Sequence, residues 1–272
     1  MTTSYLRLLK FTLLLAALLP VILAICSALM LESTSSSIGY TILAYVVLGF
    51  LPLCILVEYS FKRITGFVDL ASQDQAGFLD QISSRYADLA IAASAGLALF
   101  LELAVIRWQG EDIPLFAFYK NFSLLACFAG LGLGYALATL ESIPLILTIP
   151  VLSFQMLLLA IIRHGAGGDW IRPIWNLPFV EQLHMGLAPT TSVENTIATY
   201  FFLTVFFLLT VLAFIPIGQL CGRLMTRQEK LRSYGLNLLG SILGVLLVMG
   251  TSLLWVPPVI WFGLCFACLL FF

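Results

Sequence analysis

Charged residues are scarce in this sequence. Asp, Glu, Lys and Arg make up 10% of the 272 residues, whereas soluble domains carry about 25%. The two signs nearly cancel, because 13 Lys and Arg stand against 14 Asp and Glu, and the net charge is −1. The low charge content excludes a soluble domain, which needs charges to cover its surface in water. Because Lys and Arg do not outnumber Asp and Glu, a nucleic-acid partner is excluded.

Histidine is rarer still, and the usual catalytic signatures are missing. Neither His164 nor His184 has a metal-binding or nucleophile–base spacing to its neighbours. The chain contains no G-x-S-x-G, no H-E-x-x-H and no phosphate-binding loop motif. We therefore predict no catalytic residue, no metal and no cofactor from the sequence, while the question of enzymatic activity stays open.

Long apolar runs take the place of the missing charge. Hydrophobic residues make up 61% of the chain and its mean hydropathy is +1.06. A membrane-spanning helix needs about 20 predominantly apolar residues. The sequence predicts an all-α integral membrane protein, a single polytopic bundle over residues 1–272 with eight transmembrane helices, of which the last is short enough to leave seven. The predicted spans are 11–30, 38–57, 89–106, 122–140, 143–162, 199–217, 236–254 and 258–272, with an outside loop over 164–198.

Basic residues give these spans an orientation. Lys and Arg concentrate in cytoplasmic loops, and an N-terminus inside puts nine of the 13 on that side. Both termini are then cytoplasmic, and the predicted location is the inner membrane of a bacterium, with the lipid bilayer as the first partner. Residues 58–88 form a polar cytoplasmic segment whose apolar spacing predicts an amphipathic helix on the membrane surface. The short last span also fits a natural chain that continues past Phe272.

An acid and a base stand in or beside the third span. An ionisable group in hydrocarbon costs about 2.5–3.5 kcal/mol and is a functional-site hypothesis by default. Glu102 and Arg107 are five positions apart, so they do not share a helix face, and Lys120 is the partner that the sequence offers for Glu102. The alternative is that these charges only neutralise neighbouring helices. The predicted ligand-binding or intramembrane polar cluster is Glu102, Arg107, Glu111, Asp112, Lys120 and Asn121 at one outer mouth, with Asn237 in a later span.

Small residues recur every four positions in two spans. Such stripes let helix backbones approach closely, so we predict two helix-packing faces. The first consists of Ala126, Gly130, Gly134 and Ala138, and the second of Gly240 and Gly244.

Two stretches resemble a known family. One is Glu102-x-x-x-x-Arg107 followed by Lys120-Asn121 and the small-residue stripe. The other is Tyr234-x-x-Asn237-x-x-Gly240-x-x-x-Gly244 followed by Trp255-x-Pro257-Pro258. Together they are similar to the membrane-embedded region of bacterial membrane-bound spermidine-synthase-like proteins.

The resemblance implies a membrane module that accompanies a cytoplasmic aminopropyltransferase-like domain. Glu102, Arg107 and Asn237 are the positions carried over from the family pattern. These 272 residues contain no transferase domain, so any aminopropyltransferase activity would lie in a separate domain.

Three functional hypotheses follow. The first is a module that anchors or serves a cytoplasmic transferase-like domain or partner, through the amphipathic segment and the basic loop 223–232. The second is a carrier or channel for a small cationic solute such as a polyamine, with Glu102 on its route. The third is a membrane enzyme that uses His164 or His184 as an acid–base group.

Overall fold

The structure is a computed structural model that describes residues 3–30, 40, 43–112, 116, 120–140, 142–164 and 193–271. These residues are helical apart from short turns, and no β-strand occurs among them. Within the described ranges, the α-helices with defined bounds are α1 Thr3–Met30, α2 Leu51–Gln81, α3 Ser84–Asp112, α4 Lys120–Leu137, α5 Thr148–His164, α6 Val193–Met225, α7 Lys230–Leu253 and α8 Pro258–Phe271. A π-helical segment, Tyr45–Phe50, precedes α2, and a 3₁₀ turn, Leu145–Leu147, precedes α5.

Five helical stretches in the described part of the chain are long and apolar enough to cross a membrane. They are Ser4–Cys26, Arg85–Glu111, Leu145–Ile162, Thr196–Met225 and Lys230–Leu253. The predicted spans 122–140 and 258–272 correspond to the shorter apolar helices Asn121–Leu137 and Pro258–Leu270. Residues 40 and 43–57 of the predicted span 38–57 are described, and they contain the π-helical segment and the start of α2. This stretch is not among the five. The predicted outside loop 164–198 falls largely outside the described residues.

Helix α6 lies at the centre of the bundle and packs against α1, α3, α4 and α5. Its aromatic side chains fill this position: Phe202, Phe206 and Phe214 are buried. The rings of Phe202 and Phe206 lie 4.5 Å apart, and Phe116 packs against both at 5.5 and 5.8 Å. The core is therefore built on the most apolar long helix of the chain.

The closest helix contacts join two parallel pairs. A Cβ added at Gly130 would meet the carbonyl oxygen of Val211 at 2.5 Å, and one at Gly134 would meet that of Ile215 at 2.3 Å. The residue numbers rise together in this pair, so α4 and α6 run parallel.

The second parallel pair is α3 with α7. A Cβ at Gly240 would meet the Ala92 carbonyl oxygen at 2.1 Å, and one at Gly244 would meet that of Gly96 at 2.4 Å. In both pairs the small-residue stripe is what lets the two backbones touch.

The second half of α2 is held at one end of the bundle. Ser72 and Ser142 each donate a hydroxyl hydrogen bond to the other's carbonyl, at 3.0 and 3.1 Å. The backbone N–H of Leu145 donates to Gln75 Oε1 at 2.7 Å, and Arg227 donates to the Ile82 carbonyl at 2.7 Å. This half therefore contacts both the α4–α5 turn and the α6–α7 turn.

An ion pair attaches the first half of α2 to α1. Lys10 Nζ lies 2.5 Å from Glu58 Oε1. The hydrogen bond from this ammonium lowers the pKa of Glu58 from its ordinary value of 4.5. The segment predicted as a surface helix over 58–88 is thus the continuation of α2, and α3 begins four residues before the predicted end of that segment.

Candidate functional site: a cavity at Glu102

Glu102 lies deep in the structure. It is 1% exposed, and α3 continues ten residues beyond it to Asp112, a rise of about 15 Å. The predicted span ended at residue 106 and put Glu102 only about 8 Å from its end. α3 continues past this point, and Arg107 and Glu111 form an i,i+4 ion pair at 2.8 Å along it, an arrangement that modestly stabilises a helix.

Glu102 lines a cavity of about 330 Å³. The cavity lies between α3, α4 and α7, and its volume is at the lower end of the about 300–1,000 Å³ typical of small-molecule sites. Phe128 and Tyr135, on the α4 side of the cavity, are 54% and 38% exposed, so the cavity has a mouth on the outside of the bundle. Its lining consists of Ala95, Ala98, Leu99, Glu102, Phe128, Leu131, Gly132, Tyr135, Asn237 and Ser241.

Neither carboxylate oxygen of Glu102 has a hydrogen-bond partner among the residues that the structure describes. Buried polar atoms are usually paired, and a buried carboxylate that is not paired is costly. Arg107 does not supply the partner, since its guanidinium is engaged elsewhere. The side chain of Lys120, the partner predicted from the sequence, lies outside the described residues.

The far end of the cavity carries neutral polar groups. The Tyr135 hydroxyl donates to Asn237 Oδ1 at 3.4 Å, which links α4 to α7 beside the cavity, and Ser241 lies one turn after Asn237. The stretch in between is formed by Ala95, Ala98 and other apolar side chains. The site is therefore a cavity with an apolar middle, one acid at one end, and neutral hydrogen-bond donors and acceptors at the other.

Arg107 belongs to a second, separate group of residues at the end of α3. It pairs with Glu111, donates to the Ser252 hydroxyl on α7, and stacks over the Trp261 ring on α8 at 4.9 Å. These contacts tie α3, α7 and α8 together. The predicted outer cluster thus divides into the Glu102 cavity and this Arg107 group.

The remaining members of the predicted cluster are placed only in part. Asn121 is exposed at the start of α4. Asp112 and Lys120 lie in helices, but their side chains are outside the described residues. Asn237 lies 135 residues after Glu102 in sequence and lines the same cavity.

The predicted packing residues all lie where helices meet. Gly130, Gly134, Gly240 and Gly244 are the contact points described above. Ala126 is fully buried, and Ala138 packs against Gly222 of α6. The facing glycines Gly218 and Gly222 were missed, although they form a small-xxx-small pattern of the same kind.

Sequence reasoning also missed part of the site and a second buried polar group. Tyr135 and Ser241 line the cavity but carry no signal beyond being polar in an apolar span. Gln109 and Gln155 are buried, and both donate to the Thr210 hydroxyl, at 3.2 and 2.9 Å. An amide in an apolar run was the signal used for Asn237, and it would have found Gln155 in the predicted span 143–162. Gln109 follows the predicted end of the third span and gives no such signal.

The helices and their composition fit the class of multi-pass membrane proteins. No protein family, curated protein or solved structure matches the chain. The resemblance to the membrane region of spermidine-synthase-like proteins therefore stays a prediction.

Proposed function

We propose that this protein is a multi-pass membrane protein that binds a small organic cation at Glu102 and carries it across the bilayer. The observation that carries the proposal is a carboxylate that is 1% exposed, has no described partner, and lines a cavity of about 330 Å³. A cation in the cavity would supply the missing partner.

The depth of the carboxylate favours a carrier. Transporters bind substrate and coupling ions near the bilayer midplane, where an ionisable residue is expensive and marks the route. Glu102 lies four residues, or about 6 Å, from the middle of Arg85–Glu111, the stretch of α3 that is long and apolar enough to cross a membrane. A polyamine is one solute of the proposed class.

Eight crossings with both termini in the cytoplasm, in the inner membrane of a bacterium, form part of the proposal. The helix directions support it. In an eight-span chain the third and seventh spans run the same way, as do the fourth and sixth. These are the pairs α3 with α7 and α4 with α6, which are parallel.

The module hypothesis, with a cytoplasmic transferase-like domain or partner, stays a prediction that no observation favours. Its predicted partner surface consisted of the amphipathic segment 58–88 and the basic loop 223–232. Arg223 donates to the Ala138 carbonyl, Arg227 to that of Ile82, and Arg232 pairs with Asp88. These three cations have partners within the chain, which weakens the case for a basic docking surface.

The experiment is equilibrium binding of labelled butylamine and putrescine to the protein in lipid nanodiscs. We expect saturable binding of at least one amine, and at least a tenfold loss of affinity in Glu102→Gln. Glu229→Gln, which removes an exposed carboxylate at the start of α7, should bind as the wild type does.

Uptake completes the test. Proteoliposomes that hold the wild-type protein should accumulate at least one of the two labelled amines under an inside-negative potential. Those with Glu102→Gln should accumulate neither amine above the level of protein-free liposomes. The proposal would be refuted if neither amine bound to the wild-type protein, or if the wild type and Glu102→Gln bound the amines equally.

A further inference from the structure

We infer that the cavity takes a linear amine with a single positive charge and a neutral hydrogen-bonding group at its other end, an amino-alcohol type of ligand, rather than a diamine. The inference rests on the proposed function and defines its ligand class. It follows from what the two ends of the cavity carry and from the distance between them.

The first step is the charge of the lining. Glu102 is the one carboxylate among the described residues that line the cavity, so it can neutralise one ammonium. The opposite end offers the Tyr135 hydroxyl, the Asn237 amide and the Ser241 hydroxyl. A second ammonium there would lose its water without gaining a countercharge, which is costly. A hydroxyl or an amide would find both donors and acceptors.

The second step is the length. Gly244 lies against Gly96 where α3 and α7 touch. Ser241 is three residues before Gly244 and Glu102 is six residues after Gly96, which together are nine helical rises, or about 13 Å. Side chains lean toward the N-terminus of their helix, so the carboxylate leans toward Ser241 and the gap shortens to about 10 Å.

The third step is the middle of the cavity. Ala95, Ala98 and Leu131 present only apolar surface there, which suits methylene groups. Two hydrogen bonds of about 2.8 Å at the ends and about 1.2 Å per bond of extended chain leave room for about three carbons if the far end reaches Ser241. They leave room for about eight if it reaches Asn237, which is one helical turn, or about 6 Å, farther away. A five-carbon probe lies between these limits.

The experiment compares three probes of one length, 5-aminopentan-1-ol, pentylamine and 1,5-diaminopentane, by equilibrium binding to the nanodisc protein. We expect the amino alcohol to bind about fivefold more tightly than pentylamine, which corresponds to one net hydrogen bond. It should bind at least about tenfold more tightly than the diamine, because a second buried charge is costly.

The variants separate this inference from the proposed function. Asn237→Leu, Ser241→Ala and Tyr135→Phe should each reduce the preference for the amino alcohol over pentylamine, because each removes a neutral hydrogen-bonding group from the far end of the cavity. Three variants on two helices ensure that a folding failure in one does not remove the test.

Each other outcome has one meaning. If the probes bind equally and all are lost in Glu102→Gln, the site binds cations and the inference about the ligand class is wrong. If the diamine binds most tightly, the inference is wrong as well. If no probe binds, the proposed function falls with it.

Discussion

A buried carboxylate without a partner lowers the stability of the protein that contains it. Glu102 is surrounded by Leu101, Ala98 and Val105 of its own helix, all buried, and its two oxygens have no described partner. A residue kept at such a cost is expected where function requires it. Stability and function should therefore change in opposite directions when it is replaced.

We predict that Glu102→Leu raises the free energy of unfolding by about 2 kcal/mol, because an apolar side chain replaces an uncompensated carboxylate. Amine binding should be lost at the same time. The measurement is thermal unfolding in detergent, compared between the variant and the wild type without ligand.

Gln109→Leu is the matched control, since Gln109 is buried on the same helix but donates to Thr210. It should lower the stability by about 1 kcal/mol, the net worth of a hydrogen bond. A loss of stability in Glu102→Leu would show that the carboxylate has a structural partner, and Lys120 would be the first candidate.

The sequence was informative about Glu102 because one charge inside an apolar run has a direct energetic meaning. It was less informative about depth and neighbours. The predicted span ended at residue 106 because Arg107 is charged, yet α3 continues past Arg107, which pairs with Glu111. Asn237 joins Glu102 only through the parallel packing of α3 and α7, a long-range contact that no local pattern encodes.

Close approach of backbones is the feature that organises the helices. Gly240 permits the shortest of these contacts, because a Cβ added there would lie only 2.1 Å from the Ala92 carbonyl oxygen. That oxygen belongs to backbone and cannot rotate away, so the two helices must separate when a side chain is added. Packing is then lost along the whole contact between α3 and α7.

We predict that Gly240→Ala lowers the free energy of unfolding by about 2 kcal/mol or more, as overpacking at a tight contact does. Gly250→Ala is the control in the same helix, since a Cβ there has nothing within 4 Å. It should be neutral or stabilising by up to about 1 kcal/mol, because alanine is the better helix former. Equal stabilities of the two variants in chemical denaturation would contradict the packing seen between α3 and α7.

Small-residue faces can be recognised from spacing, but their pairing cannot. The stripe on α4 and the stripe on α7 look equivalent in the sequence, and either could pack against the other. The structure instead pairs each with a different helix: α4 packs on α6, whose Gly218 and Gly222 face it, and α7 packs on Ala92 and Gly96 of α3.

At the scale of the whole molecule, one end of the bundle gathers the α4–α5 turn, the α6–α7 turn and the second half of α2. Hydrogen bonds from Ser72 and Arg227 hold these elements together. The Arg107 group, with Ser252 and Trp261, lies at the opposite end of α3. If the bundle crosses a bilayer as proposed, these two ends face opposite sides of it.

This geometry allows a labelling test of the orientation. Cys54 and Cys268 are replaced by serine, because the other four cysteines are buried, and single cysteines are introduced at Asp74, Glu229 or Asn121, all of them exposed. We predict that a membrane-impermeant maleimide labels Asn121→Cys in intact cells, and labels Asp74→Cys and Glu229→Cys only after the membrane is opened. Labelling of all three in intact cells would overturn the proposed crossings. Protection of Asn121→Cys in intact cells, with labelling of the other two, would leave the proposed bundle intact and reverse its orientation in the membrane.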